Sequence, residues 1–306
     1  MVARDRVEQP DLLVPAQGVC RQPGLGRDLA YRQPFLHAAQ PRSWSTLEVK
    51  PHNASVSRVG GMLDGLDALQ ALCGEDRDCR RGWEFVHAQA AAYGRPVVEG
   101  DGVDADRLRA AEERLGIALP AALREAYLLF GRRRDLTAAQ DRLLTPGQLR
   151  CDAEGVLVFR VENQHCASWG VSPESDAHDD PPVLMSTGGR WMPYADRLSI
   201  ALVEMVLSEA MFSADEETVD NRADLDDAAR VALRAMFVRL PLPDLPLWAA
   251  PDQSPVRWFA GPDVLLREDS GTWLWVHGRT PAAVQAVRDR LPGDWLMVPE
   301  DEGDED

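Results

Sequence analysis

The stretch Ala105–Gly131, ADRLRAAEERLGIALPAALREAYLLFG, carries its own punctuation. Asp104 stands where an N-cap accepts from the first free amides, and Leu108, Ala111 and Leu115 form one apolar face. Gly116 is placed to turn left-handed and close the helix, with Ile117 at the hydrophobic contact of such a C-cap. Pro120 suits the first turn of a second helix, where its fixed φ helps and its missing donor costs nothing. Leu123, Tyr127 and Phe130 share the buried face of that helix, and Gly131 ends it. Two helices joined so tightly must pack as a corner.

Outward from this corner the periodicity changes. Gly155–Val161 (GVLVFRV) has the β-branched and aromatic content of a strand, Cys166–Val171 reads as its hairpin partner, and Val183–Met185 follows the turn Asp179-Asp180-Pro181-Pro182. Gly188–Tyr194 brings Trp191 back toward the sheet, and Arg197–Phe212 is a long apolar helix. Asp215–Asp227 holds seven acidic residues in thirteen and reads as a solvated loop or helix start, with a helix over Ala228–Arg239. Beyond a proline-marked connector, Trp258-Phe259, Val264–Leu266 and Thr272–His277 are expected strands. Thr280 and Pro281 open a short helix to Leu291, and Trp295–Val298 is the last expected strand, so the C-terminal part reads as an appended β-β-α-β unit. Upstream, Leu63, Leu66, Leu69 and Leu72 mark a helix stopped by Gly74, and Trp83, Phe85, Val86 and Ala90 mark a second that ends near Gly94.

The expected organisation has five parts. Residues 1–61, broken by prolines and carrying 8 basic against 5 acidic residues over 1–60, lie outside the functional domain with Met62 as its natural start, or form a flexible basic arm. Residues 62–99 form an N-terminal helical segment, 100–245 the main domain, 252–299 the C-terminal extension, and 300–306 an acidic disordered tail.

Composition narrows the function. Residues 61–306 hold 25 basic and 45 acidic residues, and a surface that negative repels phosphate backbones, so direct nucleic-acid binding is disfavoured and a basic partner is favoured. Apolar runs such as Leu198–Val203 are too short to span a bilayer, and the polar start Met1–Gln9 is no secretory signal. Five cysteines without a CxxC argue for free thiols in a reducing cytoplasm.

No catalytic constellation emerges. His165 and Cys166 adjoin, but neighbours on a strand point to opposite faces and no third group orients a base. The six scattered histidines offer no zinc ligand set, and the acidic clusters at 174–180 and 215–220 lack the alternating ligands and central glycine of a calcium loop. Gly188-Gly189 sits in no phosphate-binding frame, and no serine occupies a GxSxG elbow. The sequence therefore gives no cofactor, no metal and no enzyme. Glu162-Asn163-Gln164 forms a hairpin end, or fixes the strand that presents Trp169. Trp169 and Trp191 are core residues or part-exposed interface anchors.

Taken in order, these segments resemble the SMI1/KNR4 (SUKH) superfamily. The resemblance rests on Leu115-Gly116-Ile117-Ala118-Leu119-Pro120 running to Phe130-Gly131, then Pro146–Leu149 as P-x-x-L, then Glu162, Asn163 and Gln164 before Trp169-Gly170, and finally Asp180-Pro181-Pro182-Val183. It covers roughly residues 100–240. It implies an α+β fold with a mixed, mainly antiparallel sheet flanked by helices, in which the recurring residues Leu115, Gly116, Leu119, Pro120, Phe130, Gly131, Glu162, Asn163, Gln164, Gly170 and Pro182 are scaffold. It also implies a non-catalytic role, neutralising a polymorphic or contact-dependent toxin, frequently a nuclease, by occlusion. The alternative it carries is a regulatory or scaffold module with a cellular partner. The expected contact residues for a basic toxin domain are Trp169 and Trp191 with Glu174, Asp176, Asp179 and Asp180.

Overall fold

The computed structural model describes residues 65–74, 78–172 and 179–296. In chain order these form helices α1 (Leu66–Cys73), α2 (Arg80–Ala92), α3 (Ala105–Leu115), α4 (Ala121–Phe130) and the short α5 (Arg134–Thr137). Strands β1 (Arg142–Leu143), β2 (Arg150–Cys151), β3 (Leu157–Val161), β4 (Ala167–Val171), β5 (Val183–Thr187) and β6 (Arg190–Ala195) follow, then helix α6 (Leu198–Phe212). The remainder runs β7 (Val219–Arg222), α7 (Asp227–Met236), β8 (Val238–Arg239), β9 (Arg257–Gly261), β10 (Val264–Asp269), β11 (Trp273–Gly278) and α8 (Pro281–Arg290).

The fold is α+β with two antiparallel sheets. The first is ordered β1-β3-β4-β5-β6, with β2 also paired to β3, and the second is ordered β7-β11-β10-β9-β8. Between them runs α6. Thirteen of its fifteen residues are buried, because a helix apolar all round must be surrounded on every side. On the outer face of the second sheet, α7 and α8 close a separate apolar cluster of Leu225, Leu233, Phe237, Phe259, Leu266, Leu274, Val276, Val284 and Leu291.

The α3–α4 corner forms where the spacing places it, with three departures. Gly116 turns at φ 70° as expected, but the Asp104 side chain makes no cap and instead pairs with Arg132 at 2.6 Å. Pro120 takes the N-cap position, one residue before the first turn. The staple is Glu112, whose two carboxylate oxygens accept from Leu119 N at 3.0 Å and Arg124 Nη1 at 2.7 Å. Leu119 and Phe130 are buried, while Leu115 is half-buried. Gly131 ends α4 at an ordinary helical φ of −64°, so its value lies in close approach. There Val103 N donates to Tyr127 O at 2.8 Å. Gly102 is tighter still, since a Cβ at that position would lie 1.7 Å from Leu128 O. Gly102→Ala is expected to destabilise the fold by about 3 kcal/mol, because the obstacle is backbone and cannot rotate away. A urea midpoint within error of wild type would contradict this.

Two expectations are corrected in the C-terminal half. The acidic run 215–227 is not simply solvated: its middle is the buried strand β7, paired with β11 from Leu274↔Arg222 to His277↔Val219. Asp220 is fully buried there, held by Arg288 at 2.6 Å. The run begins with a 3-10 turn at Glu216–Thr218 and ends as a helix start, where Asp226 caps α7 by accepting from Ala229 N. The C-terminal unit forms its three expected strands before the helix but is not a separate appendage, since its sheet takes β7 and β8 from upstream of residue 245. Trp295 contributes a single bridge to Arg222, and 297–298 lie outside the described residues. So do the expected arm 1–61 and tail 300–306. Cys73, Cys79 and Cys151 are free thiols, whereas Cys166 is disulfide-bonded, against the expectation of free thiols throughout.

Candidate functional site

The residues expected to meet a partner separate into different environments. Trp169 is core, not an anchor: it is 3 % exposed on the inner face of β4, under the Arg160 guanidinium at 4.5 Å and edge-on to Tyr194. Trp191 behaves differently. It lies half-buried on β6, the edge strand of the first sheet, and donates from Nε1 to Asp152 Oδ2 at 2.6 Å. Gly170 makes room for it, since a Cβ there would stand 3.2 Å from the Trp191 ring and 2.5 Å from Val156. Asp152 is itself fixed, because its other oxygen accepts from Glu154 N and Val156 N at 2.9 Å. A rigid carboxylate therefore orients a rigid indole at the sheet edge.

Asp180 is structural as well. Its carboxylate accepts from Ser199 N and Ser199 Oγ at the start of α6 and pairs with Arg197 at 2.8 Å. Arg197 in turn donates to Leu72 O at the end of α1. Asp179 is exposed, and its carbonyl accepts from Ala122 N in α4. Pro182 is exposed beside it. Glu174 and Asp176 lie outside the described residues.

In the Glu-Asn-Gln turn the acid does the structural work. Glu162 is buried, and its carboxylate accepts from Gln164 N at 2.8 Å and Cys166 N at 3.0 Å, closing the β3–β4 connection. His165 sits in this turn at φ 63°, before β4 begins, so it and Cys166 are turn residues and not strand neighbours. Asn163 and Gln164 are exposed.

Behind Trp169 lies a feature that the sequence reading missed. Arg160 on β3 reaches Asp141 at 3.1 Å, Glu209 at 3.0 Å and Glu204 at 3.5 Å, all buried. Glu204 also accepts from Tyr194 OH at 2.9 Å and from Ser208 Oγ at 2.7 Å. Ser208 receives Arg267 of β10 at 2.8 Å, and Arg267 pairs with Asp269. Glu209 accepts from the backbone amides of Ala139, Gln140 and Asp141. Burial pushes Glu209 up to about 7 against the pull of Arg160, and raises Asp141 as well. Glu204, equally buried, is held below its ordinary value by Arg267 and Arg160. Glu204 and Glu209 are surrounded by fixed donors, while Asp141 keeps Oδ1 buried without a hydrogen-bond partner, and the arrangement ties α6 to both sheets. Among the described residues no group of three or more His, Cys, Asp or Glu is placed to hold a metal ion, and no helix is long and apolar enough to cross a membrane.

Compared with known protein families, with curated proteins and with solved structures, the chain matches none.

Proposed function

We propose that this chain is a non-catalytic binding protein of the SMI1/KNR4 kind, a cytoplasmic immunity protein that occludes a basic toxin domain through the β6 side of its first sheet. One observation supports the reading above the others: the segments that carry the resemblance are bolted directly to one another. Arg114, beside the Leu-Gly corner, donates to Pro146 O and Leu149 O of the P-x-x-L turn at 3.0 and 2.9 Å. The helix after Leu-Pro takes the carbonyl of Asp179 at the Asp-Pro-Pro step. Motifs scattered over sixty or more residues thus build one scaffold, and Trp191 stands half-exposed at its edge.

The indole supplies a rigid amphipathic surface at little entropic cost, and the excess negative charge of the chain raises the encounter rate with a basic partner. The test is co-expression with the toxin-domain products of neighbouring genes, followed by pull-down and growth rescue. Trp191→Ala is expected to weaken binding at least ten-fold, about 1.4 kcal/mol or more, with the fold retained. Full rescue by the variant would move the contact elsewhere. Capture of a cellular regulator, with no toxin encoded nearby, would replace immunity by the scaffold reading.

A further inference from the structure

A cavity of about 140 Å³ opens between the end of α2, the α5 turn, the last turns of α6 and the β10–β11 hairpin. Its walls are apolar, with Ala90, Leu136, Leu207, Ala210 and Leu265 among the lining residues. Closed apolar cavities of about 150 Å³ accept a benzene ring. Polar side chains also line it, among them Gln89, Arg95, Asp135, Ser213, Asp215 and His277. His277 lines the cavity, is 6 % exposed and stacks on Tyr93 with ring centroids 4.1 Å apart. Its Nδ1 is buried without a hydrogen-bond partner. Burial, aided by the nearby Arg95 charge, holds this imidazole near 4, so at neutral pH it is uncharged and has one N–H to donate.

The rim charges differ in how far they are committed. Arg133 is taken up by Asp135 at 2.8 Å and Asp101 at 3.1 Å, and Arg279 by Asp263 at 2.8 Å. Arg95 reaches only the already occupied Asp135, at 4.0 Å, and its side chain is 58 % exposed. Asp215 also lines the rim, so a cationic ligand is the real competitor.

We infer that this cavity binds a small apolar carboxylate of about the size of benzoate, its ring against Leu207, Ala210 and Leu265 and its carboxylate paired with Arg95. Such pockets, with apolar walls and a small number of polar groups, are the usual form of small-ligand sites at the junction of packed layers. The inference is independent of the toxin-binding reading and involves a different part of the molecule.

The experiment is an NMR titration of the full-length protein with sodium benzoate, benzamide and benzylamine at neutral pH. Benzoate is expected to give saturable shifts at Tyr93, Ala210 and His277, with an affinity in the millimolar range or tighter. Arg95→Gln, exposed and therefore safe for folding, should weaken benzoate at least five-fold, and Ala210→Phe should fill the cavity and abolish the shifts. The bound anion should also raise the His277 titration midpoint, since an opposite charge nearby favours the protonated ring. Absence of saturable benzoate shifts, equal binding of benzylamine, or Arg95→Gln binding as wild type would each overturn the assignment.

Discussion

Arg160→Met is expected to destabilise the protein by about 3–5 kcal/mol, the usual cost of leaving buried charges without their partner. Arg160 is 4 % exposed and faces three carboxylates, Asp141, Glu204 and Glu209. Glu204 keeps Arg267 at 4.0 Å, but Asp141 and Glu209 have no other guanidinium within ion-pair distance among the described residues. The methionine restores the volume, so the loss reports on charge more than on a cavity. Glu209 titrates near 7 in the fold, against its ordinary 4.5, and losing Arg160 would raise it further. An acid raised in this way costs stability above its unfolded pKa, and the cost fades as pH falls toward it. The deficit of Arg160→Met should therefore be largest near pH 8 and shrink toward pH 5 in urea titrations. A deficit below about 1 kcal/mol at pH 8 would mean that water reaches the cluster and that it does not lock α6 in place.

That cluster also marks where sequence reasoning stops. The α3–α4 corner was legible because its signals are local: Gly116 supplies φ 70° and Pro120 fixes the entry to α4 within four residues. Strands β3, β4, β5, β9, β10 and β11 were legible from β-branched and aromatic runs, whereas the short β1, β2, β7 and β8 were not. Arg160 inside LVFRV, and Glu204 and Glu209 inside an otherwise apolar helix, did carry a signal, since a charge that interrupts a buried run needs a partner. Which partner it takes depends on sheet register, and β3 contains a bulge between Val158 and Arg160 that no pattern reveals. Trp169 and Trp191 look alike in the chain. One faces α6 and the other the open side, because strand parity and position in the sheet differ. Asp220 was hidden by its acidic surroundings: β7 is four residues long, and its burial comes from β11, more than fifty residues downstream.

The second large effect concerns His277. Its pKa falls from 6.5 to about 4 because burial disfavours the charged ring and Arg95 adds like-charge repulsion. Tyr93 stacks on it, and the remaining charges around the cavity are Arg133, Asp135, Asp215 and Arg279. A histidine lowered in the fold contributes stability in full above its unfolded pKa and loses it as pH falls between 6.5 and 4. At about 1.4 kcal/mol per unit the loss amounts to roughly 3 kcal/mol. Glu209 opposes this over nearly the same range, since its raised pKa makes the fold more favourable as pH falls from about 7. The wild-type stability curve is therefore expected to be flatter through this window than either group alone dictates, and the two contributions are separated by substitution. In His277→Asn, which cannot titrate, stability should rise as the solution is acidified from pH 7 to pH 4.5. The wild-type advantage over the variant should fall by roughly 2.5 kcal/mol across the same window. Urea midpoints for both proteins at four or five pH values give this difference directly. A difference constant to within about 0.5 kcal/mol would show that the imidazole is solvated in the folded protein, because an exposed ring keeps its ordinary pKa and adds no linkage.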